Sequence, residues 1–225
     1  MQLTVKTAGT HLTKETGKNK YTGELLFDAG DPVNWVYFPH SGVISLVVDL
    51  ADGQRIEAAM VGRDSVVGAS AALVDKVALN TGIVQVAGTA SILDVAMLHA
   101  AADQSADFRA TLVRHQQILL AQAQQSAACN ASHSVEARLA RWLLWTRELS
   151  GSDTLGLTQE FLAQMLGVRR TSVSLVANTL QNAGLIRYSR GRIEITDLAG
   201  LQAASCECYG RVKMHYDRLL DPRTT

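Results

Sequence analysis

Residues 157–192, LTQEFLAQMLGVRRTSVSLVANTLQNAGLIRYSRGR, decide how the chain is read. Leu162, Leu166, Val173, Val176 and Leu180 fall where two short helices would bury a shared side. Ala163 lets those helices approach closely, and Gly167, four positions on, opens a tight turn between them. On the second helix Arg170, Thr171, Ser174, Asn178 and Gln181 recur at spacings of three and four, opposite Val173, Val176, Ala177 and Leu180. After Gly184 the period changes. Ile186 and Tyr188, then Ile193 and Ile195, alternate with Arg187, Arg192 and Glu194 about Ser189-Arg190-Gly191, which predicts a two-stranded hairpin with an arginine at its tip.

That order of parts is a winged helix-turn-helix, and its polar face suits duplex DNA. From Phe161 to Ile193 the chain has five arginines and no acidic residue. Arg169, Arg170, Thr171, Ser172, Ser174 and Asn178 are the candidates for the major groove, where donors at a helix N-terminus reach base edges and arginine pairs with guanine. Arg187, Ser189, Arg190 and Arg192 on the hairpin are expected against the phosphate backbone, where they set register rather than read sequence.

Composition agrees. The 225 residues exceed the usual size of one domain, and 47% hydrophobic content can fill two cores. The first twenty residues carry no apolar stretch of a signal peptide and no run of eighteen apolar residues exists, so a soluble cytoplasmic protein without membrane attachment is expected. A net charge of zero hides an asymmetry: residues 1–134 hold nine Lys/Arg against twelve Asp/Glu, and residues 135–225 the reverse. The positive half is the one with the helix-turn-helix.

The amino-terminal half reads as a small antiparallel β-roll or jelly roll. Candidate strands are 24–27, 35–38, 43–49, 54–60, 83–86 and 90–95, separated by the turn signals Ala29-Gly30-Asp31-Pro32, Ser41-Gly42, Asp52-Gly53 and Ala87-Gly88. From Asp107 to Asn130 neither glycine nor proline interrupts a helical pattern. Within it Leu112, Leu119 and Ser126, and likewise Val113, Leu120 and Ala127, are seven apart and form a partial heptad seam. A second helix, 135–149, starts at the cap Ser134 with Glu136 in its first turn, and buries Trp142 and Trp145. A third is expected over 198–220. The division is therefore an α+β chain of sensor roll (1–106), dimerisation helix (107–133) and DNA-binding unit (134–225).

On that third helix Cys206 and Cys208 would point to roughly opposite faces. With Cys129 they are expected as reduced structural thiols, with no metal site and no cofactor. His11, His40 and His99 stand in no ligand-like context. A cupin-type metalloenzyme would need a His-x-His with further ligands in the roll, and no Ser/His/Asp or Cys/His arrangement is present, so the chain is not read as an enzyme. An adaptor built on a nucleotide-binding module would have no need of the acid-free arginine stretch.

A β-roll, a long helix and a winged helix-turn-helix in this order resemble the Crp/Fnr family of bacterial transcription regulators. The resemblance runs from about Tyr21 to Leu220. It is most specific over 157–192, and next in FDAGDPVNWVYFPHSGVISLVV (27–48) and VGRDSVVGA (61–69). It implies a homodimer whose long helices pair through Leu112, Val113, Leu119, Leu120 and Ala127, reading a palindromic site with RNA polymerase as a candidate further partner. Relatives that bind cyclic AMP use a Gly-Glu-Leu turn and an Arg-Ser or Arg-Thr pair. Here the matching places are Gly68-Ala69-Ser70 and Asn80-Thr81, with Ala123-Gln124 where the long helix meets the base. Both the carboxylate for the ribose and the cation for the phosphate are missing, and an unpaired buried phosphodiester costs several kcal/mol, on the order of any buried unpaired ion. The expectation is a regulator without the usual cyclic-AMP pocket. The alternative is one that takes a nucleotide-like or other small effector, of unknown identity, in a rearranged pocket. In the recognition helix relatives carry Arg-Glu-Thr-Val-Gly-Arg. This chain keeps Arg170 but has Thr171 for the acid and Leu175 for the second arginine, so its neighbouring base preferences should differ.

Overall fold

The computed structural model describes residues 10–12, 23–63, 65–73 and 76–220. The first half holds strands β1 (Thr10–Leu12), β2 (Leu25–Phe27), β3 (Trp35–Pro39), β4 (Val43–Asp49) and β5 (Arg55–Val61), helix α1 (Ala69–Leu73), strands β6 (Thr81–Val86) and β7 (Gly88–Asp94), and helix α2 (Val95–Gln104). The strands make two antiparallel sheets, ordered β1-β7-β3 and β2-β6-β4-β5. Their inner faces meet around Tyr37, Ile44, Leu46, Ala59, Val61, Val84 and Ala90, the packing that alternating strands require. Asp52-Gly53 turns the chain between β4 and β5. Gly53 sits at φ +84, where a side chain would be strained, and the Asp52 carboxylate accepts from Gln54 N at 3.0 Å.

All six expected strands are present within about two residues of their ends. Helix α2 is new. It follows β7 directly, its first turn capped by Asp94, which accepts from Ala96 N at 2.7 Å. The second half begins with α3 (Ala106–Ser132), whose 27 residues make a rod of about 40 Å. There follow α4 (Val135–Ser150), β8 (Thr154–Leu155), α5 (Gln159–Leu166), α6 (Arg170–Asn182), β9 (Ile186–Ser189), β10 (Arg192–Ile195), α7 (Leu198–Ala204) and α8 (Cys208–Leu220). Strands β8, β10 and β9 form the small sheet of a wing. Ser134 caps α4 as expected, accepting from Ala137 N at 3.3 Å.

Helix α4 is buried along its whole middle, from Arg138 through Thr146. One apolar cluster passes from Val43, Val47, Met60 and Ile83 of the roll through Leu139, Trp142, Leu143 and Trp145 to Phe161, Leu162, Val173 and Leu180 beyond. Trp142 stacks edge-on against Phe161 at 6.4 Å between ring centroids. Roll and helical unit therefore share a core.

A polar network lies inside that shared core. Trp142 Nε1 donates to Glu57 Oε1 at 2.8 Å, and Ser45 Oγ donates to Glu57 Oε2 at 2.7 Å while lying 2.5 Å from Gln85 Oε1. Gln85 Nε2 donates to Thr146 Oγ1 at 3.2 Å. Burial raises the Glu57 carboxyl to about 7 against the hydrogen bonds of Ser45 and Trp142 and the charge of Arg141. The single Ser45 proton faces two acceptors, so a proton on Glu57 lets Ser45 accept from one side and donate to Gln85 on the other.

Because the folded value lies above the unfolded one, the stabilisation from Glu57 is complete below about pH 4.5 and is lost as pH rises through about 7. Glu57→Gln keeps an acceptor for Trp142 and a donor for Ser45 but cannot ionise. Relative to the parent, its stability in urea unfolding is expected to improve by up to about 3 kcal/mol between those limits. A pH-independent difference would show that Glu57 is not protonated in the folded chain.

Candidate nucleic-acid interface

Thr158 starts α5 by accepting from Phe161 N at 3.1 Å, and Gly167 ends it at φ +61, donating back to Gln164 O at 3.1 Å. A Cβ on Gly167 would also stand 3.0 Å from the Ile56 side chain of β5, so a larger residue would be strained in the backbone and would press on Ile56. The turn delivers α6 with Val173, Ala177 and Leu180 buried and its other side outward. Thr171, Leu175 and Asn178 form the outward stripe at steps of four and three; Leu175 is 69% exposed. Arg169, the residue preceding the helix, contributes no side-chain cap, and no acid stands in the first turn. Ser172 N and Val173 N donate to Arg169 O at 2.9 and 3.3 Å, which leaves the amides of Arg170 and Thr171 for an anion, as at phosphate-binding helix N-termini.

The expected contact residues separate into groups. Arg169, Arg170, Thr171 and Asn178 are exposed, with Arg190 and Arg192 exposed on the wing. Among the described residues these four arginines have no ion pair. Ser172 is half-buried, and the Ser174 hydroxyl donates to Gln159 Oε1 at 2.5 Å, tying α6 to α5. Gln181 is likewise engaged, its Oε1 accepting from Tyr188 N at 2.7 Å. Arg187 departs from expectation: Nη1 donates to Glu194 Oε2 at 3.0 Å across the β9–β10 register. The acid-free stretch stops one residue short of the acid that the hairpin brings opposite Arg187, so this charge is partly neutralised. Ser189 pairs with Arg192 and closes a two-residue loop of Arg190 (φ 49) and Gly191 (φ 75). Two positive values make a type I′ turn, which favours Asn or Gly at the first place. An arginine there is held in a conformation that costs roughly 1–2 kcal/mol.

In the roll a cavity of about 240 Å³ opens between the second sheet, α1 and α3. Gly68, Ser70, Asn80 and Ala123 line it, joined by Gln116, Leu119 and Leu120. Ala69 is buried in the packing behind it, Gln124 is exposed outside it, and Thr81 is withdrawn, donating to Asp49 Oδ2 at 2.6 Å. Among the described residues no charged side chain lines this cavity.

The heptad seam of α3 splits in two. Leu112 and Ser126 are buried against the protein's own roll and helices, whereas Leu119 is half-buried and lines the cavity beside Leu120. Val113, Gln117, Leu120, Gln124 and Ala127 form the exposed edge, with Val113 48% and Leu120 59% exposed. A 3.6-residue helix at the border of the roll cannot turn two adjacent rows to the same side, and sequence spacing alone does not say which row faces inward.

The third helix expected over 198–220 is broken. Residues 205–207 leave the helix between α7 and α8, with Ser205 extended at ψ 158. The break turns Cys206 and Cys208 to the same side, against Cys129 and His133 at the end of α3; the four ligand atoms lie within 4.8 Å of one another. The expectation that the two thiols diverge is thereby corrected. The spacing Cys129-x3-His133, one helical turn, was the legible half of this cluster; the break has no glycine or proline to announce it. His40 and His99 instead face Ser91 and Asp103, and the His11 side chain lies outside the described residues.

Residues 18–105 match the model of the cyclic nucleotide-binding domain, and residues 137–204 that of the Crp-like helix-turn-helix domain. Among solved structures, the FixK2 regulator of Bradyrhizobium japonicum is similar at TM-score 0.70 and 16% identity, over 88% of this chain and 98% of that one. TTHB099, a CRP-family transcriptional regulator of Thermus thermophilus, aligns at 25% identity and TM-score 0.66, over 81% and 93%. The c-di-GMP-responsive regulator CLP of Xanthomonas campestris aligns at 17% and 0.63, over 77% and 89%. No curated protein matches by sequence. With a cyclic nucleotide-binding roll, a long helix and a Crp-like helix-turn-helix joined in that order, the chain belongs to the Crp/Fnr family of transcription regulators.

Proposed function

We propose that the chain is a homodimeric, sequence-specific DNA-binding regulator acting on a palindromic site, divided into a sensor roll (1–106), a dimerisation helix (107–133) and a DNA-binding unit (134–225). The observation that supports this is the exposure of Arg169 and Arg170 at the start of α6, where no side chain caps the helix, and of Arg190 and Arg192 on the wing, none of the four ion-paired among the described residues. Arg170 takes a guanine edge, and Leu175 offers the apolar contact that a thymine methyl accepts. Arg169 and Arg190 hold phosphates. The site work falls on exposed Thr171 and Asn178 more than on Ser172, Ser174 or Arg187, which serve the protein's own packing. RNA polymerase is the natural further partner of such a regulator, and the cytoplasm its place.

Dimerisation through Val113, Leu120 and Ala127 would cover an apolar edge otherwise left in water. Two recognition helices would then enter grooves about 34 Å apart. The roll does not take cyclic AMP in the usual manner, because its cavity presents Ser70, Asn80 and Gln116 but, among the described residues, no cation for a phosphodiester. The same observation favours, as a second reading, a small uncharged effector filling this largely apolar space.

Arg170→Ala is expected to lose about 1–3 kcal/mol of discrimination at one base pair per half-site. Arg190→Asn should weaken all sequences alike and lower the salt slope by about 1. It should also raise stability by about 0.5–1 kcal/mol, because asparagine suits the turn. Binding isotherms on a selected operator and on random duplex over a salt series check both; equal losses on both DNAs for both variants would refute the division of labour. Titration calorimetry with cyclic AMP should show no binding at micromolar concentration. Leu120→Arg should yield monomers in light scattering without loss of fold, whereas an unchanged dimer would place the interface elsewhere.

A further inference from the structure

Three cysteines and a histidine from distant parts of the chain meet at the junction of the long helix and the DNA-binding unit. Cys129 and Cys208 are 0% and 1% exposed, and Cys206 6%. Cys129 Sγ and Cys206 Sγ are 3.5 Å apart, and Cys208 Sγ is 3.6 Å from His133 Nδ1. A tetrahedral zinc ion with ordinary bond lengths would hold its sulfurs ~3.8 Å apart and a sulfur ~3.6 Å from a nitrogen. We propose that Cys129, His133, Cys206 and Cys208 bind one zinc-class divalent ion in a closed tetrahedral site that clasps the end of α3 to the start of α8.

The surroundings are those of a ligand set. While His133 Nδ1 faces the sulfurs, Nε2 points at Glu207 Oε2, 3.3 Å away. A carboxylate on the far nitrogen fixes the ring and its tautomer, as it does behind metal-bound histidines. Gln125 Nε2 donates to Cys208 Sγ at 3.0 Å, the kind of hydrogen bond that stabilises a thiolate. Cys206 and Cys208 stand at the amino end of α8, whose dipole favours negative sulfur. The buried guanidiniums of Arg138 and Arg141 lie close enough for their charges to act on Cys129 and Cys206, and the Nε atoms of both have no hydrogen-bond partner. Three thiolates and a neutral imidazole around a divalent ion carry one net negative charge, which these arginines face.

Four protein ligands leave no open position, so the ion is structural rather than catalytic. Soft thiolates with one imidazole in a tetrahedron select zinc over calcium or magnesium. Binding replaces three thiol protons, which leave to solvent. The break between α7 and α8 thereby acquires a reason: an unbroken helix would turn Cys206 and Cys208 apart. The clasp ties the helix that borders the effector cavity to the unit that carries α6, independently of whether DNA is the ligand of α6.

The full chain, produced with zinc and passed through gel filtration under a phosphine reductant, should carry about one zinc per chain by elemental analysis. Exchange into cobalt should give thiolate-to-cobalt charge-transfer and tetrahedral ligand-field bands. Cys206→Ser and Cys208→Ser should abolish them. Glu207→Gln, at an exposed position outside the ligand set, should keep the fold and the spectrum but weaken zinc against a chromophoric chelator by about 10–100-fold. A chain without zinc after supplementation, or one with Cys129 and Cys206 joined as a disulfide in place of metal, would overturn the site, as would zinc content indifferent to the cysteine variants.

Discussion

The burial of α4 is the constraint on which the other parts depend. One side of this helix packs on the open face of the roll, and the other supplies the floor for α5, α6 and α7. A helix buried on opposite sides must be covered on both, and here even Arg138 and Arg141 are enclosed. Its Trp142 meets both obligations at once, the ring against Phe161 of α5 and the indole N–H on Glu57 of β5. A lone indole or carboxyl in that position would cost more than it returns. Paired, they fix how far α4 can slide on the sheet, and with it where α6 points.

Two buried titratable groups on this frame oppose one another. Glu57 loses stabilisation as pH rises toward 7, its folded value being raised. His115 on α3 accepts from Val66 N through Nε2 at 3.3 Å and is held neutral, its imidazole pulled down to about 4 by burial. A lowered histidine loses stabilisation as pH falls below its unfolded value near 6.5. Over the interval they share, the two slopes run in opposite directions, so the roll's attachment to its helices stays nearly level across mild acidity.

Much of the fold and part of the interface were legible in the residues. Every expected strand was placed by a short apolar run bounded by turns that carry Gly, Asp or Pro; β4 and β6, buried along nearly their whole length, do not alternate. The helix-turn-helix was legible because Gly167 and the apolar steps around it have one reading. What escaped came from tertiary pairing. Helix α2 follows β7 with no turn residue between them, so only Asp94 as a cap marks its start. Arg187 looked free because Glu194 lies seven residues on and meets it only through hairpin register. Leu112 and Leu120 share a heptad pattern, yet one faces the protein and the other water. The convergence of Cys206 and Cys208 needed a helix end that no glycine or proline announces.

The proposed DNA-binding surface is also where the fold is least well served by its residues. Arg169 occupies the position before α6 where serine or asparagine would cap, forgoing about 1 kcal/mol. Arg190 holds a left-handed conformation that asparagine or glycine would adopt freely. Leu175 stands in water on the outer face of α6. Each choice is locally unfavourable, while caps elsewhere are filled by Asp94, Ser105, Ser134 and Thr158. A chain that caps α2 to α5 and α7 and leaves α6 open is shaped for something outside itself. The uncapped amides, the two arginines and the exposed leucine are complementary to a phosphate backbone with base edges between its strands, and a duplex would satisfy them together.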